Sequence, residues 1–160
     1  LDALENGGCL DVAYALLEQE TFPSWLFPVT QGATTIWERW DGWHPERGFQ
    51  DTGMNSFNHY AYGAVGSWMM RSVAGIDLDE AQPGGGRILF RPRPGGSLTH
   101  ASASLRTPHG TAAIEWRRDG SRTQATLTVP ESATGRFSPP PGSGIEAVDA
   151  LGPGRHDFSW

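Results

Sequence analysis

Near residue 80 the chain changes texture, and that change restricts its possible folds more than any other feature. Before it, apolar residues recur at helical spacing. After it, "DLDEAQPGGG" (77–86) reads as a linker that gives way to short β-type runs separated by turn residues. Residues 87–92, 98–107, 110–118 and 123–129 are successive strand candidates, with weaker ones at 134–138, 144–149 and 155–160. Asp119-Gly120 between two of them is a hairpin signal. In 98–107, Leu98, His100, Ser102 and Ser104 fall on one side and Thr99, Ala101, Ala103 and Leu105 on the other, as one buried face requires. Many short strands at regular spacing predict a small antiparallel β-sandwich over residues 81–160. The expected fold is α+β in two parts, with residues 1–80 helical.

In the helical part, Leu10, Ala13, Leu16 and Leu17 share a face flanked by Val12 and Ala15. Gly7 and Gly8 precede this helix and Phe22-Pro23 ends it. A second helix is expected over "NSFNHYAYGAVGSWMMRSVAGI", with Phe57, Tyr60, Ala61, Ala64, Val65, Trp68 and Met69 on one broad face. Asn55 or Ser56 offers its N-cap, and Gly75 closes it in a left-handed conformation. Gly63 and Gly66 weaken that helix and suggest the close approach of a neighbour. Between the helices lies a Trp-rich connection of about thirty residues, a length that tends to carry function.

That connection holds "GATTIWERWDGWHP" (32–45). Trp25, Trp37, Trp40, Trp43 and Trp68 lie within it or close by, together with Glu38, Asp41, Asp51, Asn55, Asn58 and His59. Aromatic faces stack on sugar C–H patches while carboxylates, amides and imidazoles take sugar hydroxyls, so the mixture suits a carbohydrate site. The same rings would also serve as packing between helices. Glu38, beside the cationic Arg39, is the best single candidate for one of the two carboxyl groups that glycoside hydrolysis needs; it could equally be a structural partner of Arg39. Asp41 could accept a sugar hydroxyl or cap the turn at Gly42. His59 gathers with Asn55 and Asn58 at the expected N-terminus of the second helix, where clefts are often lined.

Other chemistries fit poorly. A net charge of −6 argues against a nucleic-acid partner. The lone Cys9, expected as a buried thiol, excludes an internal disulfide framework and any multi-cysteine zinc site. His44, His59, His100, His109 and His156 are scattered, so no metal site is expected. The Gly84–Gly86 run lacks the Lys-Ser/Thr ending of a phosphate loop. No apolar run approaches the length needed to span a bilayer. With no initiator methionine and a start on what reads as the tail of a helix, the chain reads as a piece of a longer protein. Its compartment is not legible.

"GATTIWERWDG", then "MNSFNHYAYGAVGSWMMRSVAGI", then a Pro-Gly linker into strands, resembles the C-terminal end of bacterial α-L-rhamnosidases, densest over residues 32–76. The resemblance implies the terminal helices of an (α/α)6-barrel catalytic domain, followed by the small β-sandwich. It implies cofactor-free, inverting hydrolysis of terminal α-L-rhamnose from a rhamnose-containing glycoside or oligosaccharide. It makes Glu38 the general base and His59 a hydrogen-bonding partner of the sugar. Trp37, Trp40, Asp41 and Asn55 are the remaining expected substrate-binding residues. The family's general acid lies in an upstream acidic motif with no counterpart here, so the isolated chain is expected to need the upstream remainder of the barrel. The rival reading is a non-catalytic carbohydrate-binding or structural accessory sandwich. Only Trp116 and Trp160 lie in the β-half, which places the aromatic residues wrongly for a sugar-binding platform there.

Overall fold

The computed structural model describes residues 1–160. They divide into two units, Leu1–Ser67 and Trp68–Trp160. The first opens with two short helices, α1 (Asp2–Asn6) and α2 (Leu10–Leu17), separated by Gly7 and Gly8, whose φ of 77° ends α1. Ala13, Tyr14 and Leu17 are the buried residues of α2, whereas Val12 and Leu16 are 44% and 41% exposed. The buried stripe therefore recurs at three- and four-residue steps through Tyr14, not Leu16 as expected. Cys9 is exposed, not buried, because it stands at the break between the helices.

A third helix, α3 (Leu26–Thr30), starts where the Ser24 hydroxyl accepts the Phe27 amide at 2.9 Å. Beyond it the connection holds a two-residue ladder, β1 (Trp43–His44) with β2 (Gly48–Phe49), and a 3₁₀ turn at Thr52–Met54 capped by Asp51. The second helix begins later than expected. A 3₁₀ turn (Ala61–Ala64) leads into α4 (Val65–Trp68) and then a π-type stretch (Met69–Ala74). Residues 56–59 stay outside it because their backbone groups bond to the preceding connection. Trp68 is buried on the expected face, but Tyr60 and Met69 are exposed. Gly66 meets no neighbour within 4 Å of a would-be Cβ, and Gly63 meets only Ile36 at an ordinary 3.5 Å; neither admits a closely approaching helix within this chain.

Gly75 closes the helical stretch with φ 89° and ψ 37°, donating its amide to the Met70 carbonyl at 3.0 Å. The chain then enters β3 (Ile76–Leu78), which pairs with β4 (Arg87–Phe90), so part of the expected linker is strand. Three long strands follow: β5 (His100–Thr107), β6 (Gly110–Asp119) and β7 (Arg122–Val129). Gly120, with φ 56°, opens the two-residue loop between β6 and β7. The chain ends in β8 (Thr134–Phe137), β9 (Val148–Leu151) and β10 (Gly154–Ser159).

These strands form two four-stranded sheets, ordered β10-β7-β6-β5 and β3-β4-β8-β9. All neighbours run antiparallel except β4 and β8, which are parallel. The parallel pair follows from connectivity: the chain leaves β4, builds β5, β6 and β7 in the other sheet, and returns. Such a pair needs a long crossover, and no hairpin could make it. Ile76, Ile88, Phe90 and Phe137 from one sheet meet Ala112, Ile114, Leu127 and Val129 from the other in one core. Phe137 stacks on Phe158 of β10 with centroids 4.0 Å apart. β5 alternates as expected, with Ala101, Ala103 and Leu105 half-buried beneath exposed His100, Ser102 and Ser104.

The π-type stretch is tied to the sandwich by polar bonds as well as packing. The indole of buried Trp116 donates to the Val73 carbonyl at 2.7 Å, the Arg91 amide to Gly75 at 2.8 Å, and the Arg93 amide to Ser72 at 2.9 Å. A Cβ on Gly75 would lie 2.2 Å from the Pro92 nitrogen. Gly75→Ala adds this overlap to the left-handed backbone cost and should destabilise the chain by roughly 2–4 kcal/mol in thermal or chemical denaturation.

On the outer face of the β10-β7-β6-β5 sheet, the Thr126 hydroxyl donates to Asp157 at 2.6 Å and the Arg155 guanidinium reaches both carboxylate oxygens. The Thr126 bond first, and Arg155 next, hold the Asp157 carboxyl below the ordinary aspartate range. The folded state therefore binds this proton less readily than the unfolded chain. The resulting stabilisation is complete above the ordinary value and fades as pH falls through the lowered one. Asp157→Asn should give a shallower acid-side loss of stability, followed by denaturant titration from about pH 5 down to pH 3.

Candidate functional site

Two stretches far apart in sequence, 35–38 and 56–59, lie side by side in the first unit. The Glu38 amide donates to the Ser56 carbonyl at 2.9 Å, and the His59 amide to the Ile36 carbonyl at 2.8 Å. The Ser56 amide returns a bond to Glu38 Oε2 at 2.8 Å, and the Thr35 hydroxyl donates to the Phe57 carbonyl. Glu38 and His59 are thereby carried on partnered backbone. Glu38 is half-buried and takes its hydrogen bond from an amide, not from Arg39. A charge-assisted bond of this kind fixes the carboxylate's orientation.

His59 is half-buried, its Nδ1 accepting the Ala61 amide at 3.3 Å, and its ring lies parallel to that of Tyr60 at 5.6 Å. With Thr35, Ile36, Asn58 and Tyr60 it lines an open hollow of about 730 Å³. Trp37 is buried with Phe57 edge-on at 5.0 Å. Trp40 stacks on Tyr62 at 4.7 Å and meets Trp25 edge-on at 5.8 Å, while the Trp25 indole donates to the Tyr62 carbonyl. The Trp40 indole nitrogen is buried without a hydrogen-bond partner.

Asp41 and Asn55 brace the loop between these stretches. Asp41 Oδ2 accepts the Gln50 amide group at 2.9 Å and lies 3.8 Å from Arg47. The Asn55 side chain donates to the Gly42 carbonyl at 2.9 Å and the Gln50 carbonyl at 3.4 Å, leaving Oδ1 buried and unpaired. Asn55 does not N-cap the second helical stretch, which begins only at Ala61. Ser56, Thr35 and Phe57 were not singled out as site residues from sequence. Ser56 contributes a backbone amide, which no side chain announces; Phe57 was absorbed into an expected helical face. No group of three His, Cys, Asp or Glu side chains is arranged to hold a metal ion, and no helix is long and apolar enough to cross a membrane.

The profile described as bacterial alpha-L-rhamnosidase 6 hairpin glycosidase domain matches residues 1–73, and that of the bacterial alpha-L-rhamnosidase C-terminal domain matches residues 75–150. The chain belongs to the bacterial α-L-rhamnosidase family. It is 47% identical over 134 residues to an alpha-L-rhamnosidase of Streptomyces avermitilis, covering 84% of this chain and 13% of that protein. The crystal structure of a Streptomyces avermitilis alpha-L-rhamnosidase complexed with L-rhamnose superposes with a TM-score of 0.89 at 39% identity, over 100% of this chain and 17% of that one. The native Aspergillus terreus enzyme gives 0.90 at 38% identity, over 99% and 18%. The chain thus spans less than a fifth of each of these relatives.

The loop's packing is tight at Gly42, where a Cβ would come 2.7 Å from Asn55 Oδ1 and 3.3 Å from the Arg39 carbonyl. Gly42→Ala must displace the Asn55 amide from its two carbonyl partners. A stability loss of roughly 1–3 kcal/mol is expected in thermal denaturation.

Proposed function

We propose that the protein containing this chain hydrolyses terminal non-reducing α-L-rhamnose from a rhamnose-containing glycoside or oligosaccharide, with inversion. The observation that carries the reading is the Glu38 carboxylate, oriented by the Ser56 amide on backbone paired with the segment holding His59. Likeness to an enzyme solved with L-rhamnose supports the sugar. In this mechanism Glu38 is the general base. Ser56 occupies Oε2, leaving Oε1 to take a proton from water as its oxygen attacks the anomeric carbon. A carboxylic acid from outside the chain protonates the departing glycosidic oxygen. The two carboxyls of an inverting pair stand about 6.5–9.5 Å apart, which leaves room for that water.

His59 hydrogen-bonds a rhamnose hydroxyl, Trp37 and Trp40 wall the pocket, and Asp41 and Asn55 complete the substrate-binding set while bracing the loop. No cofactor enters. The helical stretches up to Ala74 are the end of the (α/α)6 barrel and the strands from β3 onward the C-terminal sandwich; with the acid outside it, the isolated chain is inactive. The exposed Val12, Leu16, Phe22 and Val29 suit a surface covered by the remainder of the barrel.

In the full-length protein, Glu38→Gln should lower kcat on an aryl α-L-rhamnoside by about 10²–10⁴-fold with an unchanged circular dichroism spectrum. Near-parental turnover would overturn the base assignment. Retention of the α configuration in the first-formed sugar, read by proton NMR, would overturn the inverting mechanism.

A further inference from the structure

We propose that Phe57, together with Thr35, is a positioning residue that holds the Ser56 amide on the Glu38 carboxylate. The proposal rests on Glu38 being the base. A carboxylate on a loop can abstract a proton only where it is held, and a misplacement of about 1 Å can cost about 10²-fold in rate. What holds Glu38 is an amide from a segment eighteen residues away in sequence, so its position depends on the register between residues 35–38 and 56–59.

Phe57 sets that register from the middle. Its carbonyl takes the Thr35 hydroxyl, and its ring meets Trp37 edge-on at 5.0 Å and Phe49 edge-on at 5.6 Å. A Cβ at Gly42 would lie 3.4 Å from its Cε1, so the ring also abuts the 39–42 turn. The ring therefore packs against the residue preceding the base, while the residue preceding Phe57 supplies the amide to the base. One side chain controls both sides of the Glu38 contact. The His59 amide has its own bond to Ile36, which leaves the sugar-holding side of the pairing less dependent on the ring. Removing the ring should loosen the base more than the sugar.

The test uses the full-length protein and an activated aryl α-L-rhamnoside. Phe57→Ala should lower kcat by about 10–100-fold with KM changed less than about threefold; Thr35→Val, at an exposed position, should lower kcat by about three- to tenfold. Both substitutions are repeated in the Glu38→Gln background. Residues that act through Glu38 should cause no further loss there, because effects of groups working as a unit do not multiply. Equal fold losses in both backgrounds, or a rise in KM at unchanged kcat, would overturn the proposal. If Phe57→Ala does not fold, Thr35→Val decides by the same criteria. Near-parental turnover of Glu38→Gln alone removes the base reading itself. Collapse of Glu38→Gln with Phe57→Ala above half of parental kcat removes only the positioning role.

Discussion

The pairing of residues 35–38 with 56–59 is the constraint on which the first unit's organisation turns. A chain has one amide and one carbonyl per residue to bond, and buried ones must find partners. Ser56, Phe57 and His59 direct theirs sideways into the connection, to Glu38, Thr35 and Ile36. Helix therefore cannot begin until Ala61, and the segment carrying Asn55, Asn58 and His59 lies alongside the segment carrying Glu38. A regular helix from residue 55 would have spent the Ser56 and Phe57 carbonyls on amides four residues on, taking them from the Glu38 amide and the Thr35 hydroxyl.

The tryptophan cluster has a comparable logic. Trp25, Trp40 and Tyr62 support one another by stacking and edge contacts, and the Trp25 indole reaches the Tyr62 carbonyl. Trp37 is held by Phe57 instead. The rings thus pack a connection that has almost no regular secondary structure to support it. Aromatic side chains fill such a role well, because each covers a large area with few rotatable bonds.

What was legible in the sequence follows the range of the interactions. Alternation in β5, the Asp119-Gly120 turn and the left-handed Gly75 are local, and each is found where expected. Glu38 and His59 stood out through their motifs, and the structure carries them on paired backbone. The late start of the second helix depends on bonds to residues about twenty positions earlier, which helical periodicity cannot reveal. Tyr14 displaced Leu16 from the buried stripe of α2, a decision made by the neighbours and not by hydrophobicity. The parallel β4–β8 pair and the short β3 strand likewise depend on pairings across the sandwich.

That parallel pair bears on how the chain is made. During synthesis β3 and β4 emerge as a two-stranded ribbon whose free edge must wait for β8, more than forty residues later. In that interval β5, β6 and β7 can close through two-residue loops, so one sheet can be nearly complete while the other offers an unpaired edge. The half-made sandwich therefore has a period in which Ile88 and Phe90 lack their cover from β8. Ribosome-bound intermediates ending before residue 134 are the species most exposed to mispairing with a second chain.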